Sequence, residues 1–270
     1  MKSMFNRGGA WVIAAALCPY QAIAADWSSF DMQYLYSTRF KEPFNDRRVT
    51  KRIVTAEYTN AYALGSNYAY VDIAKSSRDE LGAVSGEREA PLDFFAEWYH
   101  TLSASKLLNT PATLGPIKDV GLLAGLVAGA KSSEFRPETR AYVLGVEAAL
   151  SAVTGGFQTL SLSLYDDHSA NAFGNVDSRR TYRLAHCFGA PFSIGQLQGK
   201  LEGFWKLIGP TFNGGKTQFL AQPQVMIDAS PWVNAKPATL FLGVEYQYYR
   251  NKYGTDTKES HPQLLVKWYL

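Results

Sequence analysis

The sequence predicts an all-β fold: a transmembrane antiparallel up-and-down β-barrel of about twelve strands. Three observations predict it. The chain opens with an export leader, its segments alternate polar and apolar residues with a period of two, and charges crowd the face opposite the apolar one.

The leader is read from Lys2 and Arg7, followed by the apolar run Ala10–Leu17 and an A-x-A cleavage site at Ala22-Ile23-Ala24. The run is too short for a membrane-spanning helix, which needs roughly 20 apolar residues. Lipidation at Cys18 is disfavoured by the bulky Leu17 before it. Residues 1–24 are therefore expected to be a signal peptide and 25–270 a single barrel domain. Loss of Lys2 and Arg7 lowers the basic count from 27 to 25 against 24 acidic residues, a net charge of +1. That near balance argues against a partner that is a nucleic-acid polymer, which calls for a basic excess or stripe. The remaining Cys187 has no partner for an internal disulfide.

The period-two signal is clearest at 158–165, where Leu160, Leu162 and Leu164 alternate with Thr159, Ser161 and Ser163. A helix cannot make one face from that spacing. The same alternation predicts strands near 27–37, 50–62, 67–75, 92–103, 117–130, 139–150, 157–165, 179–190, 195–207, 217–228, 239–250 and 262–270. Most have the roughly 9–11 residues that a tilted membrane strand needs. Gly121, Gly125 and Gly129 fit a helix-packing pattern as well as one face of a strand. The strand is preferred because its neighbours have period two.

An even strand number places both chain ends on the periplasmic side. The connections 76–91 and 166–178 are then external; they carry Arg78, Asp79, Glu80, Glu87, Arg88 and Glu89, and Asp166, Asp167, His168 and Asp177. Short internal turns are expected at 63–66 and 191–194, and 104–116 is too long for the pattern. A soluble secreted β-protein would show the same period with its apolar face inward. The membrane reading is favoured because Glu57, Asp72, Glu97, Asp119, Glu147, Arg183, Lys200, Glu202, Lys206, Glu245 and Lys267 all lie opposite the apolar face. They are too many for a dry core, whereas a wet lumen holds them.

Signatures of catalysis are poor. The stretch Gly209–Thr217 misses the phosphate-loop spacing by one residue. His100, His168, His186 and His261 show no metal-ligand spacing and no serine two residues on. His100 and His186 read as girdle or packing residues. Asp166, Asp167 and Asp177 match no defined calcium loop. The chain is expected to need no cofactor and to perform no catalysis.

The lumen remains. Its candidate solute-binding residues are Glu57, Tyr68, Tyr70, Asp72, Phe95, Glu97, Tyr99, Arg183, Lys200, Glu202 and Phe204, with Tyr165 on the same face. Aromatic faces beside charged hydrogen-bonding groups suit a ligand with a ring and hydroxyls; one stacked ring contributes roughly 1–3 kcal/mol. About 8 strands leave a filled interior and 16–18 an open channel, so about twelve should leave a narrow slot.

Several stretches carry a family resemblance: Phe40-Lys41-Glu42-Pro43-Phe44, Gly115–Val120, Gln222-Pro223-Gln224, Gly243–Tyr248 with Asn251-Lys252-Tyr253-Gly254, and Pro262-Gln263 with Val266-Lys267-Trp268. In their order and spacing the chain resembles the Tsx-type nucleoside-specific channel proteins, which include the OmpK-like outer-membrane proteins. The C-terminal Trp268-Tyr269-Leu270 also resembles the barrel-assembly signal of outer-membrane proteins, which normally ends in Phe. The resemblance implies a monomeric twelve-strand barrel among outer-membrane lipids of a bacterial cell, passing nucleosides or similar small solutes by facilitated diffusion. It also implies external loops that serve as bacteriophage or colicin receptors. The alternatives are a surface receptor or structural barrel with a closed lumen, and an outer-membrane enzyme acting on lipids.

Overall fold

A computed structural model describes residues 25–81, 90–133, 135–176 and 178–270. The expected leader, Glu87, Arg88, Glu89 and Asp177 lie outside the described residues.

Twelve strands follow one another along the chain: β1 Ala25–Phe40, β2 Val49–Tyr62, β3 Gly65–Ser76, β4 Leu92–Ser103, β5 Ile117–Lys131 and β6 Glu138–Leu150. Then come β7 Phe157–Asp167, β8 Arg180–Ile194, β9 Leu197–Ile208, β10 Gln218–Asp228, β11 Leu240–Arg250 and β12 Lys258–Tyr269. Each pairs antiparallel with its sequence neighbours, and β1 pairs with β12 from Asp31↔Tyr269 to Tyr36↔Leu264, closing the sheet on itself. A closed sheet leaves no unpaired edge, the condition for strands to cross lipid. Among the described residues no helix is long and apolar enough to cross a membrane.

The alternation sorts residues between outside and inside. Leu162 is 56% exposed on the outer wall, while Ser161 and Ser163 on either side are 4% and 5% exposed and face inward. Leu264, Val266 and Trp268 face outward between the buried Gln263, Leu265 and Lys267. Leucines on the lipid side and charges inside define a transmembrane barrel: of the charges expected on the polar face, all but Asp119 line the interior cavity or, like Lys206, are buried, and Asp119 bonds the Ser103–Ser105 segment at the barrel end. Gly121 and Gly125 are buried within β5, while Leu122 and Leu126 are exposed on its other face, which settles that segment as a strand. A side chain at Gly125 would collide with the Tyr99 ring, so glycine here lets that ring lie against the wall.

Two connections correct the sequence reading. Residues 191–194 belong to β8, and the turn is Gly195-Gln196, where Gly195 has φ +62°. Glycine with positive φ at the first turn position suits a two-residue hairpin. The long 104–116 connection carries its own packed structure. A one-turn helix, Ala104–Leu108, is capped by Ser103, whose Oγ accepts from the Lys106 N–H at 3.1 Å. Asp119 accepts from the Ser105 N–H at 3.0 Å and the Ser105 hydroxyl at 2.7 Å, tying the helix to β5. The connection between β10 and β11 is organised alike: Asp228 accepts from the Ser230 N–H at 2.9 Å and the Ala238 N–H at 2.8 Å.

The interior is drier than a fully wet lumen. Tyr99, Leu123, Val127, Val143, Tyr165 and Ile208 form one buried apolar cluster, and Leu35, Met226, Phe241 and Leu265 form another. Twelve strands therefore enclose an interior that side chains partly fill.

Candidate functional site: the lumen and its two ends

The inward faces of β2, β3, β4, β8 and β9 place ten of the eleven candidate residues around one cavity of about 600 Å³. Glu57, Tyr68, Tyr70, Asp72, Glu97, Tyr99, Arg183, Lys200, Glu202 and Phe204 line it. Phe95 does not. It is inside the barrel, where its ring packs at 6.2 Å from the Tyr70 ring and 5.7 Å from the Lys206 ammonium, against the apolar cluster of Tyr99 and Leu123. Tyr165 is held in the apolar cluster with Tyr99.

Within the cavity wall, polar groups are tied down to different degrees. The Tyr68 hydroxyl donates to Glu57 at 3.0 Å, and the Thr55 hydroxyl donates to Asp72 at 2.5 Å. Glu245 accepts from Gln222, Gln224 and Gln263 at 3.0, 2.8 and 2.7 Å. Lys267 is surrounded by Glu202 at 2.5 Å, Asp31 at 3.4 Å and Glu57 at 3.6 Å. Lys206 on β9 meets Glu97 on β4 at 2.5 Å. The Lys267–Glu202 and Lys206–Glu97 pairs cross the lumen, because β9 is sheet-adjacent to neither β12 nor β4.

The cavity reaches the barrel end that carries the described chain termini, since Trp27 and Gly155 of the β6–β7 turn belong to its lining. At the opposite end, the far mouth, an ion network fills the interior. Glu42, Glu80 and Lys252 enter from three loops, and Lys51, Asp93, Lys131, Glu259 and His261 enter from the strands. Lys51 contacts Glu42 at 2.6 Å, Asp93 at 3.0 Å and Glu80 at 3.5 Å. Lys252 contacts Glu259 at 2.7 Å and Glu42 at 3.1 Å. His261 bonds Glu259 at 2.9 Å, and Ser37 bonds His261 at 3.1 Å. Lys51, Lys252, Glu259 and His261 are all buried, and none of this network lines the cavity. The far mouth is crossed by a buried network of paired charges.

For two of the three loop members, Glu42 and Lys252, the charged neighbours decide the ionisation. Burial opposes ionisation of Glu42, but the ammonium groups of Lys252, Lys51 and Lys131 outweigh it and hold its carboxyl well below the usual range. Burial likewise opposes the Lys252 charge, and Glu42 and Glu259 outweigh it and push that ammonium above the ordinary lysine value.

The mouth residues in loops escape sequence reasoning, because Glu42, Glu80 and Lys252 belong to no periodic segment. Asp31, Gln224 and Tyr269 also line the cavity; alternation on β1, β10 and β12 marks their face but not their depth. Two stretches that carry the family resemblance, around Glu42 and Lys252, converge here despite lying 210 residues apart. The histidines read as packing residues do pack: His100 stacks at 6.1 Å from Trp98, and His186 stands 5.8 Å from Trp205. The stretch Gly209–Thr217 is the loop between β9 and β10. Among the described residues no group of acidic, histidine or cysteine side chains is arranged to hold a metal ion.

No protein-family profile matches the chain, and no characterised protein matches it in sequence. Among solved structures, the β-domain of the Bordetella autotransporter BrkA aligns over 90% of this chain and 98% of its own, at 10% identity and a TM-score of 0.41. The translocator domain of the autotransporter NalP from Neisseria meningitidis aligns over 89% of this chain and 87% of its own, at 12% identity and a TM-score of 0.38.

Proposed function

We propose that this barrel resides in a bacterial outer membrane as a monomer and conducts a small ring-bearing solute, such as a nucleoside, by facilitated diffusion without cofactor or catalysis. The observation that carries the reading is the cavity of about 600 Å³ inside a lipid-facing wall, where Tyr68, Tyr70 and Phe204 stand beside Glu57, Asp72 and Glu202. Rings offer stacking surfaces, and carboxylates accept from sugar hydroxyls. A pore must bind solute well enough to recruit it and weakly enough to release it. The resemblance to Tsx-type channels supports the nucleoside. Passage requires the far-mouth network to part, so the closed mouth is one state of a gated pore.

Planar-bilayer recording of the purified chain tests this. Thymidine or adenosine at millimolar concentration is expected to reduce the open-channel current, and no change with either nucleoside overturns the nucleoside reading. A second reading, a surface receptor with a closed lumen, is favoured by the network across the far mouth. Replacement of loop 77–91 that abolishes phage or colicin binding, in a barrel impermeable to every solute, would establish it instead.

A further inference from the structure

We propose that the wall formed by Arg183, Tyr99 and Glu147 is a binding site for the head group of a zwitterionic solute, one bearing an ammonium and a carboxylate on the same carbon. It rests on the reading of the cavity as a solute site and names a second ligand class for it.

Arg183 is 6% exposed, yet no carboxylate lies within ion-pair distance of it among the described residues. Its one hydrogen bond runs from Nη1 to the Ser161 hydroxyl at 3.4 Å, and its Nε is buried with no partner. The guanidinium stacks 4.7 Å from the Tyr99 ring centroid, and the Tyr99 hydroxyl is likewise buried without a partner. Both residues line the cavity. Buried charges are normally paired, because an uncompensated one costs several kcal/mol. A planar fork with free donors matches a carboxylate in two-point geometry.

The complementary charge lies on the same wall. Glu147 also lines the cavity. It accepts from the Thr101 hydroxyl at 2.9 Å and has no cation in ion-pair range among the described residues. Glu147 pairs in the sheet with Ser161, the residue that receives the Arg183 bond. The two unmatched charges are therefore neighbours that do not meet. The nearby Glu97 is already matched by Lys206, which leaves Arg183 free for an incoming anion. A lone anion would face Glu147 and a lone cation would face Arg183, whereas a zwitterion satisfies both. Gly145, Ser161, Ser163 and Ala185 keep this wall low. The ring of such a solute then lies toward Tyr68 and Phe204.

Equilibrium dialysis of the full barrel in detergent with radiolabelled L-phenylalanine tests the proposal, with phenylpropionate, phenethylamine and thymidine as competitors. Binding of L-phenylalanine is expected to be about tenfold or more tighter than that of either single-charge analogue. Arg183→Met should erase its advantage over phenethylamine, and Glu147→Gln its advantage over phenylpropionate. Arg183→Lys, which keeps the charge and loses the fork, controls for folding and should bind at an intermediate level. Equal binding of all three phenyl compounds, or L-phenylalanine binding unchanged in both neutral variants, overturns the proposal. Thymidine binding without L-phenylalanine binding overturns it while the solute cavity stands; no binding by any probe removes both.

Discussion

Lys206 on β9 reaches across the barrel to Glu97 on β4, with Nζ 2.5 Å from Oε1 and both side chains buried. The pair ties together strands that are not hydrogen-bonded neighbours. Removing one partner leaves a desolvated charge, which costs about 3–5 kcal/mol. Lys206→Met should lower the guanidinium midpoint of the barrel in lipid vesicles accordingly. Lys206→Met combined with Glu97→Gln should recover most of that loss. Equal destabilisation of the single and double variants would show that the pair does not act as a strut.

The far-mouth network makes a conductance prediction. Lys51 and Lys252 are each held by two or more carboxylates, so their neutral variants should weaken the closure. Lys51→Met and Lys252→Met are expected to raise open probability in planar bilayers severalfold over the parent chain. Unchanged gating in both would place the closure elsewhere.

The same network has a pH signature. The Glu42 carboxyl is held below its ordinary value of 4.5, so its contribution to stability is complete above that value. It is lost as pH falls below 4.5 toward the depressed folded value. Lys252 is shifted the other way, above 10.5, and its contribution is complete below 10.5 and lost only in stronger alkali. The stability difference between the parent chain and Glu42→Gln should therefore be flat from about pH 5 to 9 and shrink in acid. A difference that instead grows in acid would contradict the assignment.

The ring wall of the cavity predicts a loss of affinity. Phe204→Ala or Tyr70→Ala removes one stacking surface, worth roughly 1–3 kcal/mol. Half-block by thymidine should then move to about 5-fold to 150-fold higher concentration. Substitution of Phe95, which does not line the cavity, should leave it near the parent value; an effect as large as that of Phe204 would mean that the rings act by packing alone.

The outer wall can be tested by one charge. Leu162→Arg places a guanidinium in lipid and should cost about 2–4 kcal/mol if the site is near the bilayer midplane. Ser161→Ala, one residue along and facing inward, should cost much less. Vesicle-based unfolding titrations compare the two, and equal costs would refute the inside–outside assignment.

Alternation alone determined the strand count, the strand positions to within a few residues, and the sharing of one face by the charged residues. Period two has that power because a pleat sends neighbouring side chains to opposite sides. It also grouped Glu57, Tyr70, Asp72, Glu97 and Arg183 on that face. What it could not fix was depth around and across the barrel. Phe95 and Tyr99 are four apart on the same face of one strand, yet only Tyr99 lines the cavity. The expected turn at 191–194 fell short because β8 continues past Pro191 to Ile194. Only tertiary structure brought Lys206 to Glu97, and Glu42 to Lys252, across 109 and 210 residues. Sheet closure sets those meetings, and the shear that decides which inward side chains face each other leaves no periodic trace in a single strand.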